Sequence, residues 1–214
     1  MPSAGYNSTV KITGAPVAMA AEATTELVAD TVFQITSAAK RIIDPDAALT
    51  VLVNAVPVSS GFTVDYLFGK VTFSPALGAA DVVTLTGNYL PTSDLLEAKE
   101  ASISMTRDLA DSTVFKADPN RTRTALLKDA SGSISVLRAC LDAVVGTTLF
   151  DLLGNGTRKV LEIVPGSGVQ TFRAWVRFDS EEVKAAIEDL VSASIGWKAV
   201  TSENGKASFG LAAP

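Results

Sequence analysis

The chain has 214 residues, of which 47% are hydrophobic and 19% charged, with a net charge of -5, no histidine and a single cysteine. This length and apolar content support one main domain with its own core and room for a small appended module. The negative charge excludes a protein that grips nucleic-acid phosphates with its whole surface. The missing histidine removes the usual general base and commonest metal ligand, and one cysteine excludes an internal disulfide or a multi-cysteine metal site.

Residues 1–9 are small and polar and read as a flexible arm, and Thr9–Thr13 reads as the first strand. Ala15–Ala21 is apolar and ends in an A-x-A-like pattern. It is short, broken by Pro16 and preceded by only Lys11 as a positive charge, which does not fit a secretory leader. No apolar run reaches the roughly 18 residues that span a bilayer, so the chain reads as cytosolic or as assembled from the cytosol. Glu26–Ile35 holds a second strand with Val28, Val32 and Phe33 as its apolar content. Ala38–Asp44 ends in the turn Asp44-Pro45-Asp46, because the residue before a proline is pushed out of the helical region.

Residues 45–91 then read as a small β module. Ala48–Val53 is a strand, Phe62–Phe68 and Lys70–Phe73 form a hairpin or one kinked strand across Gly69, and Asp81–Tyr89 closes it. The module has the look of a small immunoglobulin-like or hairpin unit, entered and left through Pro45 and Pro91. Glu97–Asp108 is a long alternating strand with Ile103 and Met105 on one face. Leu109–Leu127 is rich in Asp, Asn, Thr and Arg, contains Asp118-Pro119-Asn120, and reads as a long loop. A loop of roughly 15 residues or more inside a compact domain is functional or disordered.

Ser131–Leu141 returns as a strand. Cys140, between Leu137 and Leu141, reads as a buried small hydrophobe. Ala143–Leu153 is a short apolar segment of one or two helical turns, stopped at Gly154-Asn155-Gly156. Arg158–Val164 and Val169–Phe178 form a hairpin across residues 165–168. In Thr171–Val200, Phe172, Ala174, Val176 and Phe178 fall on one strand face, with Arg173, Trp175 and Arg177 on the other. A short helix follows, capped by Asp179 or Ser180 with Glu181 and Glu182 in its first turn, and then a strand through Ile195 and Trp197. Residues 201–214 are small, polar and rich in Gly and Ala, and read as a C-terminal arm. The periodicity places Ile103, Met105, Ile134, Val136, Leu161, Ile163, Phe172, Val176 and Ile195 in the core.

No motif for chemistry is complete in the sequence. Gly205-Lys206 lacks the P-loop glycine, where Val200 stands, and the Ser or Thr, where Ala207 stands. Gly154-Asn155-Gly156 before Arg158 and Lys159 is a helix stop and turn rather than an anion cradle. Asp44-Pro45-Asp46 is a turn rather than a metal–nucleotide site. Asp108 and Asp111, beside Arg107, read as a solvated or inter-subunit ion pair rather than paired catalytic carboxylates. Arg173, Trp175 and Arg177 resemble the basic–aromatic interleaving of single-strand readers. The acidic balance favours a packed subunit interface, where Trp and Arg are both enriched. The residues nominated for subunit contact are Asp108, Asp111, Phe115, Asp118, Arg121, Arg123, Lys128, Arg173, Trp175 and Arg177. No catalytic, cofactor-binding or metal-binding set emerges, and the chain reads as a protein other than an enzyme.

The order of elements carries a resemblance. A long strand (EAKEASISMTRD) leads into a polar loop (LADSTVFKADPNRTRTALLKDAS). A return strand (GSISVLRACLDA), a helix-like segment (GTTLFDLLGNG), a hairpin (RKVLEIVPGSGVQTFRAWVRF) and a last strand near Gly196 follow. Over residues 95–200 this resembles the major tail tube protein of long-tailed, non-contractile bacteriophages; the 45–91 module departs from a minimal tube protein. The resemblance implies a mainly β fold of two packed antiparallel sheets, sandwich- or barrel-like, with one or two short helices. It implies hexameric rings that stack into a hollow tail tube, bridged by the long loop and the terminal arms. It also implies other tail proteins as partners (tape measure, terminator and distal tail protein), assembly in the host cytoplasm, and viral DNA passing through the lumen unbound. The rival reading is a monomeric β-sandwich binding module of adhesin or carbohydrate-binding type. That reading calls for a signal sequence and a concave aromatic site, and only 7% of the residues are aromatic.

Overall fold

The computed structural model describes residues 9–95, 98–111, 123–137, 156–165, 170–184, 192–202, 205 and 209–212. The fold is nearly all β, in two antiparallel sheets, and the only helical element among the described residues is a 3-10 turn at Ala38–Lys40. The chain divides into two compact units: unit 1 is Met1–Leu96, Thr157–Val176 and Val200–Pro214, and unit 2 is Glu97–Gly156 and Arg177–Ala199.

Unit 1 opens with β1 (Thr9–Thr13) and then builds a seven-stranded sheet. Its strands are β2 (Val17–Val28), β3 (Val32–Ile35), β4 (Thr50–Val53), β5 (Val56–Val58), β6 (Phe62–Asp65), β7 (Lys70–Phe73) and β8 (Val83–Tyr89). The order across the sheet is β5-β4-β8-β2-β3-β7-β6. The long β2 serves two partners: Val17–Ala23 pairs with β8, and Thr24–Val28 pairs with β3. Its register breaks between Met19 and Glu22, where Ala21 has a φ of 46° and donates its N–H to Thr86 Oγ1 at 2.9 Å. Such a bulge bends a strand and raises its twist. The two halves therefore face each other across one core, in which Met19, Val51, Val83 and Leu85 meet Phe33, Ile35, Val71 and Phe73. The module expected over 45–91 is the later part of this sheet; β2 and β3 complete it.

The same unit holds β9 (Thr92–Asp94), β13 (Lys159–Val164), the first six residues of β14 (Thr171–Lys184) and β16 (Phe209–Ala212). β9 pairs with β1, β1 with β13, and β13 with β14, while β16 pairs with the start of β14. The expected 158–178 hairpin is thus present, and part of the expected C-terminal arm is a paired strand. On one face of β13 and β14 lie Leu161, Ile163, Phe172, Ala174 and Val176, all buried as the alternation requires. The other face is buried too. Val160 and Trp175 pack with Ile42, Leu67, Phe68 and Leu90.

Unit 2 contains β10 (Ala98–Ala101), β11 (Ser104–Asp111), β12 (Arg123–Leu137), β15 (Ser192–Ala199) and the remainder of β14. β12 is its spine. Residues 131–137 pair with β15, and residues 134–136 also pair with β10 on the other side. The strand expected over 97–108 is interrupted at Ser102, whose side chain takes the place of main chain. Ser102 Oγ accepts the Ser133 N–H at 2.9 Å, and the Ser102 N–H donates to Ser133 C=O at 2.8 Å. Gly132 permits this crossing, because a Cβ there would stand 2.0 Å from Ser102 O and 2.7 Å from Trp197 Cζ2. Ile134, Ile195 and Trp197 are buried around this point.

Three expectations are corrected here. The long loop is shorter than its polarity suggested: Leu109, Ala110 and Asp111 are strand, paired with Ala125, Thr124 and Arg123. Thr, being β-branched, is favoured in strands. The helix expected after Asp179 is strand through Lys184. Asp179 and Ser180 instead lie over Gly196 of β15, where a Cβ would stand 2.5 Å from Asp179 Oδ1 and 2.3 Å from Ser180 Oγ. Lys198 Nζ reaches Asp179 Oδ2 at 3.2 Å. Met105, expected in the core, is 55% exposed, and Ile103 is half-buried. The side chain of Val136, Cys140, the segment 143–153 and residues 185–190 lie outside the described side chains or residues.

Candidate assembly surface

The pairing of β12 with β15 ends at Ser131 and Lys198, but β12 extends eight residues further, to Arg123. Over that length it is paired only with β11, from Ser104↔Ser131 to Asp111↔Arg123. Among the described residues, this is a two-stranded ribbon standing beyond its parent sheet with both edges open. Met105 sits on it opposite Ala130, one residue past the last β12–β15 pair, and is 55% exposed, whereas Ala130 is buried. A two-stranded hairpin in water is marginal by itself, and an open strand edge is a template for pairing with another chain.

The chemistry of the ribbon follows from its register. Arg107 is directly opposite Lys128. Partners across an antiparallel pair share a face, with Cβ atoms about 5 Å apart, and like charges there repel. Both side chains are exposed, and neither has an ion pair or hydrogen bond among the described residues. Met105 lies two residues before Arg107 and therefore on the same face. Met105 does not stand out in the sequence as a contact residue, and Arg107 does so only as the neighbour of Asp108 and Asp111; its place opposite Lys128 requires the β11–β12 register.

The nominated residues fall on the ribbon, outside the described residues, or on β14. Asp108 and Lys128 are exposed on the ribbon. Asp111 and Arg123 are register partners at its described end. Phe115, Asp118 and Arg121 lie outside the described residues. Arg173 and Trp175, by contrast, are turned into unit 1, and Trp175 is 5% exposed within the core formed with Leu67 and Phe68. That is a correction to their place on a subunit face: the covering residues, Ile42, Leu67, Phe68 and Leu90, come from other segments of the same chain. Arg177, on the same strand face, is exposed.

Arg173 is held by three contacts. Its Nε donates to Glu162 Oε2 at 2.6 Å, its Nη1 donates to Leu67 C=O at 2.6 Å, and its guanidinium stands 5.3 Å from the centroid of the Phe68 ring. The Glu162 side chain is 7% exposed and has Lys11 Nζ as a second, longer partner at 3.9 Å. The turn at Asp44 is as expected, with Asp44 Oδ1 accepting the Asp46 N–H at 3.0 Å. Among the described residues, no group of three or more His, Cys, Asp or Glu is placed to hold a metal. No helix there is long and apolar enough to cross a membrane.

No protein-family model matches the chain. No curated protein matches it. Among solved structures, one similar chain belongs to the virion of a native gene transfer agent particle, with 12% identity and a TM-score of 0.46 over 57% of this chain and 89% of that one. Another belongs to the tail of an empty gene transfer agent particle with C6 symmetry, with 12% identity and a TM-score of 0.45 over 58% of this chain and 87% of that one.

Proposed function

We propose that this chain is a structural subunit of a phage-like virion tail that self-associates into hexameric rings stacking as a hollow tube. The observation that carries the reading is the β11–β12 ribbon, two strands that extend beyond the β12–β15 pairing with open edges among the described residues. Pairing such edges around a closed ring removes the aggregation liability that a free edge presents. The order of elements read from the sequence over residues 95–200, which resembles that of tail tube proteins, supports the same reading. The likeness to the two gene transfer agent chains is compatible with it and is not what it rests on. In such a tube the acidic chain forms a wall along which DNA slides without being gripped. The tape measure, terminator and distal tail proteins are its neighbours, and assembly takes place in the host cytoplasm.

The test is negative-stain imaging with sedimentation velocity of the purified protein across a concentration series. Rings or tubes with six-fold end views are the expected result. A monomer at every concentration and salt tested refutes it and favours the solitary binding module.

A further inference from the structure

We propose that the Met105–Arg107–Lys128 face of the ribbon is a docking surface for carboxylates of a second copy of this chain, supplied by the seven-stranded sheet of residues 17–89. The inference rests on the tube reading and names the chemistry of one contact within it. Three observations carry it. Arg107 and Lys128 are forced side by side by the register, and both are exposed without an ion-pair partner among the described residues. Bringing an acidic group between them converts a repulsion into two attractions. Met105, 55% exposed on the same face, adds apolar surface that a partner would cover.

Charge complementarity within the chain points to the partner. Residues 17–89 carry seven carboxylates against three basic side chains, a net of -4 out of the whole chain's -5. Glu26, Asp46 and Asp65 of that segment are exposed. The ribbon's own exposed carboxylates, Asp108 and Asp129, form no ion pair with Arg107 or Lys128 among the described residues, and a second copy brings further acidic surface to this face. Duplex DNA is the competing anion, but it would have to approach a chain whose net charge is negative.

The experiment pairs a double variant with zero-length cross-linking. Arg107→Glu with Lys128→Glu, and the milder Arg107→Ala with Lys128→Ala, are compared with wild type for the concentration at which assembly begins, at low and physiological salt. The expected result is a rise of about tenfold or more in that concentration for the double reversal. The thermal midpoint of the unassembled chain should be unchanged or raised in the Ala pair, which removes the repulsion between the two cations, and little changed in the Glu pair, which replaces it with one between two anions. A merely structural role would lower that midpoint. In assembled wild type, a carbodiimide should join the Lys128 amine to a carboxylate within 17–89 of another copy, and Lys128→Arg should remove that link. Equal assembly of wild type and both variants, with no such link, overturns the proposal and leaves the tube reading standing. Links from Lys128 only to its own chain overturn it as well. Salt-sensitive DNA binding by wild-type tubes that the Ala variant loses, with assembly unaffected, overturns it in favour of phosphate. Failure of wild type itself to assemble under any condition refutes the tube reading, and this proposal with it.

Discussion

Replacing Arg173 by alanine isolates a carboxylate in the interior of unit 1. Glu162, 7% exposed, then keeps only Lys11 Nζ at 3.9 Å, a cation that is itself 33% exposed. Leu67 C=O loses a charged donor at 2.6 Å, and the Phe68 ring loses the guanidinium above it. Removing one partner of a buried ion pair costs about 3–5 kcal/mol; the residual Lys11 contact places the expected loss near the lower end, at about 3 kcal/mol. That is a large share of a total of roughly 5–15 kcal/mol. Replacing both partners, as Arg173→Leu with Glu162→Leu, removes the stranded charge and should restore most of that loss. The assay is urea unfolding followed by tryptophan fluorescence in a Trp197→Phe background, where Trp175 alone reports on unit 1. A double-mutant cycle then gives the coupling directly. A cost below about 1 kcal/mol for Arg173→Ala, or a double variant no better than the single, refutes the reasoning.

Phe172, at 1% exposure, should lose about 3–5 kcal/mol on truncation to alanine, read as a shift in the urea midpoint at constant slope. Gly132→Ala should be more damaging than its single methyl suggests, since the Cβ meets a main-chain oxygen at 2.0 Å. Loss of cooperative unfolding in unit 2, or a cost above roughly 3 kcal/mol, is expected, and a neutral substitution would show that Ser102 does not cross there. Replacing residues 112–122 by Asn-Gly joins the register partners Asp111 and Arg123 through a tight turn. The variant should stay folded by circular dichroism and fail to form tubes in the microscope.

Much of the fold is written in local alternation. β1, β4, β7, β8 and the β13–β14 hairpin follow from period-2 patterning, and most of the nominated core follows with them: Ile134, Leu161, Ile163, Phe172, Val176 and Ile195 are buried. What escapes is non-local. Trp175 and Arg173 read as an outer face because alternation cannot show that Leu67 and Phe68, more than a hundred residues earlier, cover them. Met105 reads as core because local alternation does not show which side chain of a cross-strand pair is covered; its partner Ala130 is buried and it is not. The helix at Asp179 has sound capping residues, and only Gly196, which opens room for two polar side chains on the next strand, reveals why the strand continues. The candidate surface is legible in part: Lys128 and Asp108 stand out by charge, whereas Arg107 reads in the sequence as the partner of Asp108 and Asp111, and only the register sets it opposite Lys128.

The pairing of β1 with β9 has a kinetic consequence. Lys11 faces Asp94, Thr13 faces Thr92, and Gly14 donates its N–H to Pro91 C=O, so the whole seven-stranded sheet hangs from what is topologically the loop of a hairpin. Closing an unstructured loop of about 80 residues costs about 4 kcal/mol in chain entropy before any contact is made. Once the inserted sheet has folded, its two ends are already adjacent, and that entropy has been spent on contacts internal to the insert. The insert then acts as a template that delivers β1 and β9 to each other, and through β1 readies an edge for β13, whose sequence follows some 65 residues after β9. Folding of this chain should accordingly run from its N-terminal half, with the later strands adding to an edge that the early ones have prepared.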